Sequence, residues 1–386
     1  MIQESRTESQ VIPNLHAQDE ITEQLTHIWQ DLLGIPSITP DQNYFDLGGD
    51  SPLAVQLFAR IEKTFHVKLP LATLFEAPTI EGLAQILRRE APSSTWSSLV
   101  PIQPYGSRPP FFCFHGAGGN ILIYRDLSLH LGPDQPVYGL QSPGLDGSCA
   151  PLTHIEDMAA LYVREIRRVQ QHGPYLLGGY CLGGTIAFEV ARQLRARGEE
   201  IALLALFDTM NWHKIPLPSA WTKTYSAVER LVFHAANILR LDSAGKAKFF
   251  SEKVKILRSR LPVWRGMLQG KLKKNSAVAS SSSRILSQIW QANDRASMDY
   301  VPQPFAGTVT DFRPLRQYRM FSKPGLKWDQ LAEGGEKVVV LPVFPAGMLV
   351  EPFVKHLGDA LRTAIDEALL SPQTVVSSAK ALSHAV

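Results

Sequence analysis

Apolar positions near the N-terminus follow a helical period. Four of them recur at spacings of three and four residues: Ile21, Leu25, Ile28 and Leu32. This spacing predicts an amphipathic helix. A loop then runs from Gly34 to Asp50, and a second apolar helix is predicted to begin at Ser51. We therefore expect a small helical bundle over residues 19–90, preceded by a flexible leader at 1–18.

Beyond residue 109, short apolar runs alternate with helical patterns. The runs are FFCFHG (111–116), VYGL (137–140), YLLGG (175–179), IALLALFD (201–208), TVTDF (308–312) and KVVVLPV (337–343). This alternation predicts an α/β fold over residues 109–370, with a mainly parallel sheet covered by helices. An insertion at about 211–300 is predicted to form a lid above the carboxyl edge of the sheet. The segment 91–108, rich in Pro and Ser, is predicted to be a linker, and 371–386 a tail.

Composition narrows the cellular setting. The 386 residues are 45% hydrophobic and 19% charged, which is typical of a globular protein. No apolar run is long enough to span a membrane and no secretory leader is recognisable, so we expect a cytoplasmic protein with no membrane partner. The cysteines, Cys113, Cys149 and Cys181, lack metal-type spacing. This predicts no metal site and at least one functional thiol, with three inert buried thiols as the alternative.

Charge is distributed unevenly along the chain. Residues 19–90 carry 11 acidic and 5 basic side chains, whereas residues 213–275 carry 14 basic and 3 acidic ones. The basic segment lacks a nucleic-acid recognition motif, so we interpret it as a solvated helical face and expect no nucleic-acid partner. Attraction between the two segments is a second hypothesis.

The string FDLGGDSPLAV places two glycines before Ser51, at the predicted start of the second helix. From this position alone, Ser51 is interpreted as a helix N-cap and Pro52 as the first helical residue. The segment from about Asp19 to Arg89, including LPLATLFEAPTIEGLAQIL, resembles peptidyl and acyl carrier domains of nonribosomal peptide and polyketide synthetases. The resemblance implies that Ser51 bears a 4'-phosphopantetheine arm, attached by a phosphopantetheinyl transferase. Pro52 departs from the leucine that is usual in the family, which bears on recognition by that transferase.

The run YLLGGYCLGGTIAF places GYCLG between a predicted strand and a predicted helix. A glycine-flanked turn in this setting exposes its central side chain, which makes Cys181 a candidate nucleophile. We expect the dipole of the helix beginning near Gly183 to lower the pKa of the Cys181 thiol. A small buried cysteine beside glycines is the alternative.

Two further segments are predicted to complete a catalytic site. Asp208 ends the following strand, so its side chain and that of Cys181 are expected at the same edge of the sheet. From this position alone a capping role for Asp208 is the more common one. The loop HGAGGN (115–120) has backbone N–H groups suited to an oxyanion hole, with Ala117 and Leu182 as the candidate donors. A simple glycine turn is the alternative for this loop.

From about Ser107 to Thr363 the chain resembles the thioesterase domains that end nonribosomal peptide and polyketide assembly lines. The matching pieces include FFCFHGAGGN, VYGLQSPGLDG, GPYLLGGYCLGG, LFDT and GMLVEPFVKHL. The resemblance implies an α/β-hydrolase fold with a helical lid at about 211–300 over the acyl chamber. It also implies that Cys181, in place of the more usual serine, is the acyl-accepting nucleophile and that Asp208 is the triad acid.

The departure from the family is a missing histidine. The family has its general base in a PGxH-like segment, whereas this chain reads LPVFPAGMLVEP, with Pro345 at that position. His356 lies too far along the following helix to be assigned the role. His213 and His115 are spatial candidates, although surface or packing roles are the default interpretation for both.

Chemistry without a histidine favours acceptors other than water. An unperturbed thiol is already a few per cent ionised near neutral pH, so it needs less activation than a serine. Water needs a positioned base, worth ~10² to 10⁴ in rate, whereas a free amine does not. The leading hypothesis is acyl or peptidyl transfer from Ser51 through Cys181 to an amine, an internal nucleophile or, slowly, water. Upstream synthetase modules or a stand-alone adenylating enzyme would load the chain.

Two other functions compete with this hypothesis. A non-catalytic carrier, with a degenerate thioesterase domain that shelters a bound acyl thioester, is the alternative, and loss of the histidine favours it. An editing hydrolase is disfavoured because it needs efficient attack by water.

Overall fold

The computed structural model describes residues 12–89, 96–211, 220–243, 246, 281–317 and 328–370. It divides into two compact units, with a boundary between Trp96 and Ser97. The predicted tail, the predicted lid between residues 247 and 280, and His213 lie outside the described residues.

The N-terminal unit is a bundle of helices, as predicted. Its helices are α1 (Ile12–Leu33), α2 (Ser51–Phe65), α3 (Thr73–Glu76) and α4 (Ile80–Arg88). Helix α1 begins at Ile12, inside the segment predicted to be a flexible leader. Four of its residues form the buried stripe: Leu25, Trp29, Leu32 and Leu33. Ile21 and Ile28, which belonged to the predicted stripe, are only partly buried, because the helix turns Trp29 into the core instead.

Tyr44 fixes the loop that precedes α2. Its side chain is fully buried, and its ring meets Trp29 edge-on with the ring centroids 5.3 Å apart. The Tyr44 hydroxyl donates a hydrogen bond to the Asp50 carbonyl at 3.1 Å. Gly49 lies so close to the Tyr44 ring that a side chain at this position would collide with it. The end of the loop, and with it Ser51, is therefore held by a buried aromatic residue.

The C-terminal unit is built on one seven-stranded sheet. Its strands are β1 (Leu99–Gln103), β2 (Phe111–Phe114), β3 (Val137–Leu140), β4 (Tyr175–Tyr180), β5 (Ile201–Phe207), β6 (Val309–Pro314) and β7 (Glu336–Leu341). They lie in the order β1-β3-β2-β4-β5-β6-β7, and every neighbouring pair is parallel except β1 with β3. The predicted strands β2 to β7 and the mainly parallel sheet are confirmed.

Strand β1 lies in the segment predicted to be a linker. It pairs antiparallel with β3 at the edge of the sheet. Pro101 breaks the strand pattern in the sequence, but an edge strand tolerates proline because one side of it makes no ladder hydrogen bonds. The α/β unit therefore begins earlier in the chain than residue 109.

Helices cover both faces of this sheet. They are α5 (Arg125–Leu131), α6 (Ile155–Val169), α7 (Leu182–Ala196) and α10 (Val354–Leu370). Two further helices are α8 (Ala220–Arg240) and α9 (Ser281–Asp299). Helices α6 and α7 share one buried core with Phe112 and Phe114 of β2. Phe111 and Cys113 of the same strand are also fully buried, and they point to the opposite face because strand residues alternate. None of the described helices is both long and apolar enough to cross a lipid bilayer.

Candidate active site

Cys181 lies in a strained turn between β4 and α7. Its φ of 55° and ψ of −119° place it in a backbone region that residues other than glycine rarely adopt. A side chain at Gly179 would collide with the backbone of Gly183, and one at Gly183 would collide with the Phe114 carbonyl. The predicted turn is confirmed, and it presents a partly exposed Cys181 at the carboxyl end of β4.

The loop after β2 meets this turn. A tight approach between the Phe114 carbonyl and the first turn of α7 brings the end of β2 against it. Leu182 is the first residue of α7, and its backbone N–H hydrogen bonds with the Cys181 thiol. The Ala117 carbonyl accepts a hydrogen bond from Nδ2 of Asn293 at 2.9 Å, which holds the loop. Ala117 and Leu182 thus lie on two segments that meet beside Cys181, and their role as oxyanion donors stays a prediction.

Tyr124 ties these segments together and was not singled out by the sequence patterns. Its hydroxyl donates to the Phe114 carbonyl at 2.5 Å and accepts from the Tyr180 N–H at 2.9 Å. Because Tyr180 directly precedes Cys181, this fully buried hydroxyl connects the end of β2 to the turn that contains Cys181.

Asp208 follows β5 and reaches the same edge of the sheet as Cys181. Its N–H donates to the Phe312 carbonyl at 2.9 Å. Burial raises the pKa of Asp208 to about 6, and a hydrogen bond from the Gln317 side chain acts in the opposite direction. The charge of Asp208 in turn acts on the Cys181 thiol. The structure therefore places the two predicted catalytic residues at one edge of the sheet, where the Asp208 carboxylate accepts a hydrogen bond from the Gln317 side chain.

The Cys181 thiol is harder to ionise than the helix position predicts. Its pKa is raised to about 11, chiefly by burial and also by the charges of Asp208 and Asp294. The hydrogen bond from Leu182 lowers it but does not compensate. The expected lowering of this pKa by the helix dipole is therefore wrong in sign, because a thiolate placed here loses water and meets two negative charges.

His115 is not available as the missing base. It is fully buried, with Nδ1 2.8 Å from the Gly116 oxygen and Nε2 2.8 Å from the Tyr162 hydroxyl. Burial lowers its pKa to about 4, so it packs as a neutral ring. His356 is exposed on α10. In the described part of the chain, no group of three or more His, Cys, Asp or Glu side chains is arranged to hold a metal ion.

Helix α8 packs against the segment in which the family resemblance places a histidine. Pro345 is buried and opens a short 3₁₀ turn, Pro345–Gly347. Oδ1 of Asn237 accepts from the Phe344 N–H at 2.8 Å, and its Nδ2 donates to the Phe344 oxygen at 3.4 Å. The Phe344 ring also stacks on Phe233, with the ring centroids 5.1 Å apart. The Pro345 turn is thus anchored by three contacts to α8.

Helix α9 brings further residues to the site that the sequence patterns did not single out. Trp290, Asn293 and Asp294 share one helical face, and the Trp290 ring lies 3.6 Å from where a side chain at Gly118 would begin. The Trp290 indole donates a hydrogen bond to Asp294. The charge of Asp294 acts on Cys181. The segment QANDRASMDY belongs to the part of the chain that resembles thioesterase domains, but its polar residues at helical spacing are equally typical of a solvated face.

Ser51 is the first residue of α2 and is partly exposed. The N-cap is Asp50, whose carboxylate accepts from the Leu53 N–H at 2.9 Å. The interpretation of Ser51 as the cap is therefore wrong, and Pro52 is the second helical residue rather than the first. Because Asp50 satisfies the helix end, the Ser51 hydroxyl is not needed there, and its exposed position fits covalent attachment of a phosphopantetheine arm.

The chain matches two family models. The Thioesterase domain model matches residues 109–340, and the Phosphopantetheine attachment site model matches residues 23–87. The dimodular nonribosomal peptide synthase of Bacillus subtilis (strain 168) is 41% identical over 203 residues, which are 53% of this chain and 8% of that protein. Chondramide synthase of Chondromyces crocatus is 30% identical over 362 residues, which are 90% of this chain and 9% of that protein. The chain thus spans less than a tenth of the length of these relatives.

A solved structure is similar over both units. The holo form of AB3403, a four-domain nonribosomal peptide synthetase bound to AMP and glycine, covers 95% of this chain with 27% of its own. Its TM-score is 0.55 and its sequence identity is 26%. This likeness supports the folds described above for the carrier bundle and the α/β unit.

Proposed function

We propose that this chain, which belongs to the thioesterase domain family and also carries a phosphopantetheine attachment domain, accepts an acyl or peptidyl thioester at Ser51 and transfers the acyl group through Cys181. The observation that carries this proposal is the geometry of Cys181, a partly exposed thiol in a strained turn. The Leu182 N–H contacts its sulfur, and the charge of Asp208 reaches it. Since the relatives named above are nonribosomal peptide synthases, we place the reaction in the synthesis of such a peptide or a related product.

Ser51 is the residue that we assign to 4'-phosphopantetheine attachment, by a phosphopantetheinyl transferase. When bound, that group supplies a thiol that carries the acyl chain as a thioester. Upstream synthetase modules or a stand-alone adenylating enzyme would load it. We place the reaction in the cytoplasm, because Cys113, Cys149 and Cys181 are free thiols and a reducing compartment keeps them so.

Acyl transfer to Cys181 exchanges one thioester for another. The Cys181 sulfur attacks the carbonyl carbon of the substrate, and the substrate thiol leaves. N–H groups of Ala117 and Leu182 would stabilise the charge that develops on the carbonyl oxygen. Asp208 is a weak base for this step, because its pKa of about 6 lies about 5 units below the thiol pKa of about 11. Among the described residues, therefore, no strong base lies beside Cys181.

Release from Cys181 depends on the acceptor. Water must be deprotonated as it attacks, and the position of the family's base is occupied here by Pro345, under α8. A neutral amine attacks a thioester without that help. We therefore propose transfer to an amine or an internal nucleophile in preference to hydrolysis.

A non-catalytic carrier is the second candidate function. The raised pKa of Cys181 favours it, as does the closed Pro345 turn. In this alternative, the α/β unit shelters the acyl chain while it stays on Ser51.

Mass spectrometry of the acyl-primed protein separates the two functions. Wild type, Cys181→Ala and Ser51→Ala are primed with an acyl-pantetheine, and the acylated peptide is identified over time. Cys149→Ala is the matched control, because it removes an exposed cysteine outside the site. We expect acyl mass on the Cys181 peptide in wild type and Cys149→Ala, and its loss when an amine is added. Acyl mass that stays on Ser51 equally in wild type and Cys181→Ala would support the sheltering carrier. Free acid as the main product would contradict the proposed preference for an amine or an internal nucleophile over water.

A further inference from the structure

Two carboxylates act on Cys181, and no ion pair between either of them and a Lys, Arg or His occurs among the described residues. Both charges, those of Asp208 and Asp294, bear on the thiol. Their hydrogen-bond partners are neutral, Gln317 for Asp208 and Trp290 for Asp294. A largely buried carboxylate without a cation, such as Asp208, costs stability, and such groups persist where a ligand completes the site.

Asp294, the more exposed of the two carboxylates, accepts a hydrogen bond from an exposed aromatic side chain. Asp294 faces solvent, and Trp290 is 53% exposed although its ring lies 3.6 Å from where a side chain at Gly118 would begin. An aromatic ring beside a carboxylate binds ammonium groups, through attraction to the ring face and through charge. The mouth of the site therefore has the chemistry of a cation-binding surface.

Asn293 gives an independent indication of a ligand with N–H groups. It is fully buried, and its Nδ2 donates to the Ala117 carbonyl. Its Oδ1 has no hydrogen-bond partner in the part of the chain that the structure describes. Both atoms belong to one planar amide, so this acceptor is held by the hydrogen bond that Nδ2 makes with the loop beside Cys181. A buried acceptor without a donor is costly, and an N–H group of a ligand would satisfy it.

We infer that the acceptor is a primary amine that is cationic in water and that Trp290 and Asp294 bind it beside Cys181. This amine performs the proton transfer that the family resemblance assigns to a histidine at the position of Pro345. The inference rests on the proposed function, since it names the acceptor for the acyl group on Cys181. Asp294 is a specificity-determining residue in this scheme. A cation held here also offsets the two negative charges that oppose the thiolate.

Atoms and protons balance in two steps. The bound ammonium group first releases its proton to water, and the resulting neutral amine takes the thiol proton. The Cys181 sulfur then attacks the thioester carbonyl carbon, and the departing substrate thiolate takes that proton back from the amine. The amine nitrogen then attacks the carbonyl carbon of acyl-Cys181, and the carbon–sulfur bond breaks. The surplus proton on nitrogen passes through Asp208 to the Cys181 sulfur. The net reaction turns a thioester and an amine into an amide and a thiol, without a further co-reactant.

The test uses the full chain with hexanoyl-N-acetylcysteamine as the thioester, and intact mass as the measure of acyl-Cys181. Three probes are compared: 1,4-diaminobutane is a cationic nucleophile, methoxyamine is an uncharged nucleophile, and N,N,N',N'-tetramethyl-1,4-diaminobutane accepts a proton but forms no amide. The variant is Asp294→Asn. Asp299→Asn is the matched control, because it neutralises another carboxylate on the same helix. Asp299 pairs with Arg295 at 3.4 Å.

We expect both diamines to speed acylation of Cys181 in wild type, with acyl-Cys181 accumulating in the tetramethyl case. Asp294→Asn should lower kcat/KM for 1,4-diaminobutane about fivefold, as expected for a partly exposed charge pair, and leave the rate with methoxyamine unchanged. Asp299→Asn should leave both unchanged. Acylation that is independent of the diamines, or an equal response of methoxyamine and 1,4-diaminobutane to Asp294→Asn, would overturn this inference alone. Absence of acyl-Cys181 under every condition would overturn the proposed function, and the inference with it.

Discussion

The pKa of Cys181 determines how much thiolate the protein contains at this position at a given pH. With a pKa of about 11, about one thiol in 10³ is ionised at pH 8, and this fraction rises about tenfold with each pH unit. The perturbation is therefore pH, and the expected response is a logarithm of the thiolate reaction rate that rises linearly between about pH 7 and pH 10. Asp208→Asn removes one of the charges that oppose the thiolate and should raise the rate at each pH.

Alkylation by iodoacetamide measures this ionisation directly, because only the thiolate reacts at an appreciable rate. Peptide mass spectrometry gives separate rates for Cys181 and for the exposed Cys149 in the same sample, so Cys149 serves as an internal reference. The buried Cys113 should stay unmodified while the protein is folded.

A rate for Cys181 that stops rising below about pH 9 would refute the reasoning. It would mean that the dipole of α7 and the Leu182 N–H outweigh burial and the two carboxylates. A rate for Asp208→Asn no higher than that of wild type would show instead that the Asp208 charge does not reach the sulfur.

Three other perturbations test separate parts of the structure. Burial raises the pKa of Asp208 from 3.8 to about 6, so its contribution to stability is present below about pH 4 and is lost as the pH rises through 6. Asp208→Asn should therefore raise the free energy of unfolding in urea by up to about 3 kcal/mol at pH 8 and by little near pH 4. An equal gain at both pH values would contradict this. Asn237→Ala removes both hydrogen bonds to Phe344 and should cost about 1–3 kcal/mol by urea unfolding, and an unchanged midpoint would contradict the anchoring of the Pro345 turn. Pro345→His, compared with Pro345→Ala, should raise hydrolysis of a soluble thioester by roughly 10²-fold or more in a thiol-release assay, and no gain would refute Pro345 as the position of the base.

Elements set by local pattern could be predicted from the sequence. The strands β2 to β7 are short apolar runs between turns, and the predicted and observed runs overlap throughout. Strand β1 was not predicted, because Pro101 interrupts the strand pattern in the sequence. The segment is a strand because it pairs with β3, and this pairing is not visible in the local sequence. Helix α1 was predicted, but its buried face depends on contacts such as that of Trp29 with Tyr44, which helical spacing does not encode.

The candidate site also has a part that the sequence predicts and a part that depends on tertiary packing. Cys181 and Asp208 follow neighbouring parallel strands, so chain order alone places them at one edge. Trp290, Asn293 and Asp294 reach that edge only because α9 packs on the loop after β2, more than 150 residues earlier in the chain. The predicted sign of the pKa shift at Cys181 was wrong because burial and the charge of Asp294, which raise this pKa, depend on that packing.

With Pro345 at the position of the family's histidine, the surroundings of Cys181 have unusual electrostatics. In a complete triad, the histidine takes the nucleophile's proton and the acid stabilises the resulting cation. Here the charge of Asp208 acts on the thiol directly, and Asp294 adds to it, so both oppose the charged form of Cys181. An amine acceptor relieves this opposition while it is protonated, and it attacks the acyl group after it has lost that proton and regained its nitrogen lone pair. Water brings neither, so the charges that weaken Cys181 as a general nucleophile would also protect acyl-Cys181 until a suitable amine is bound.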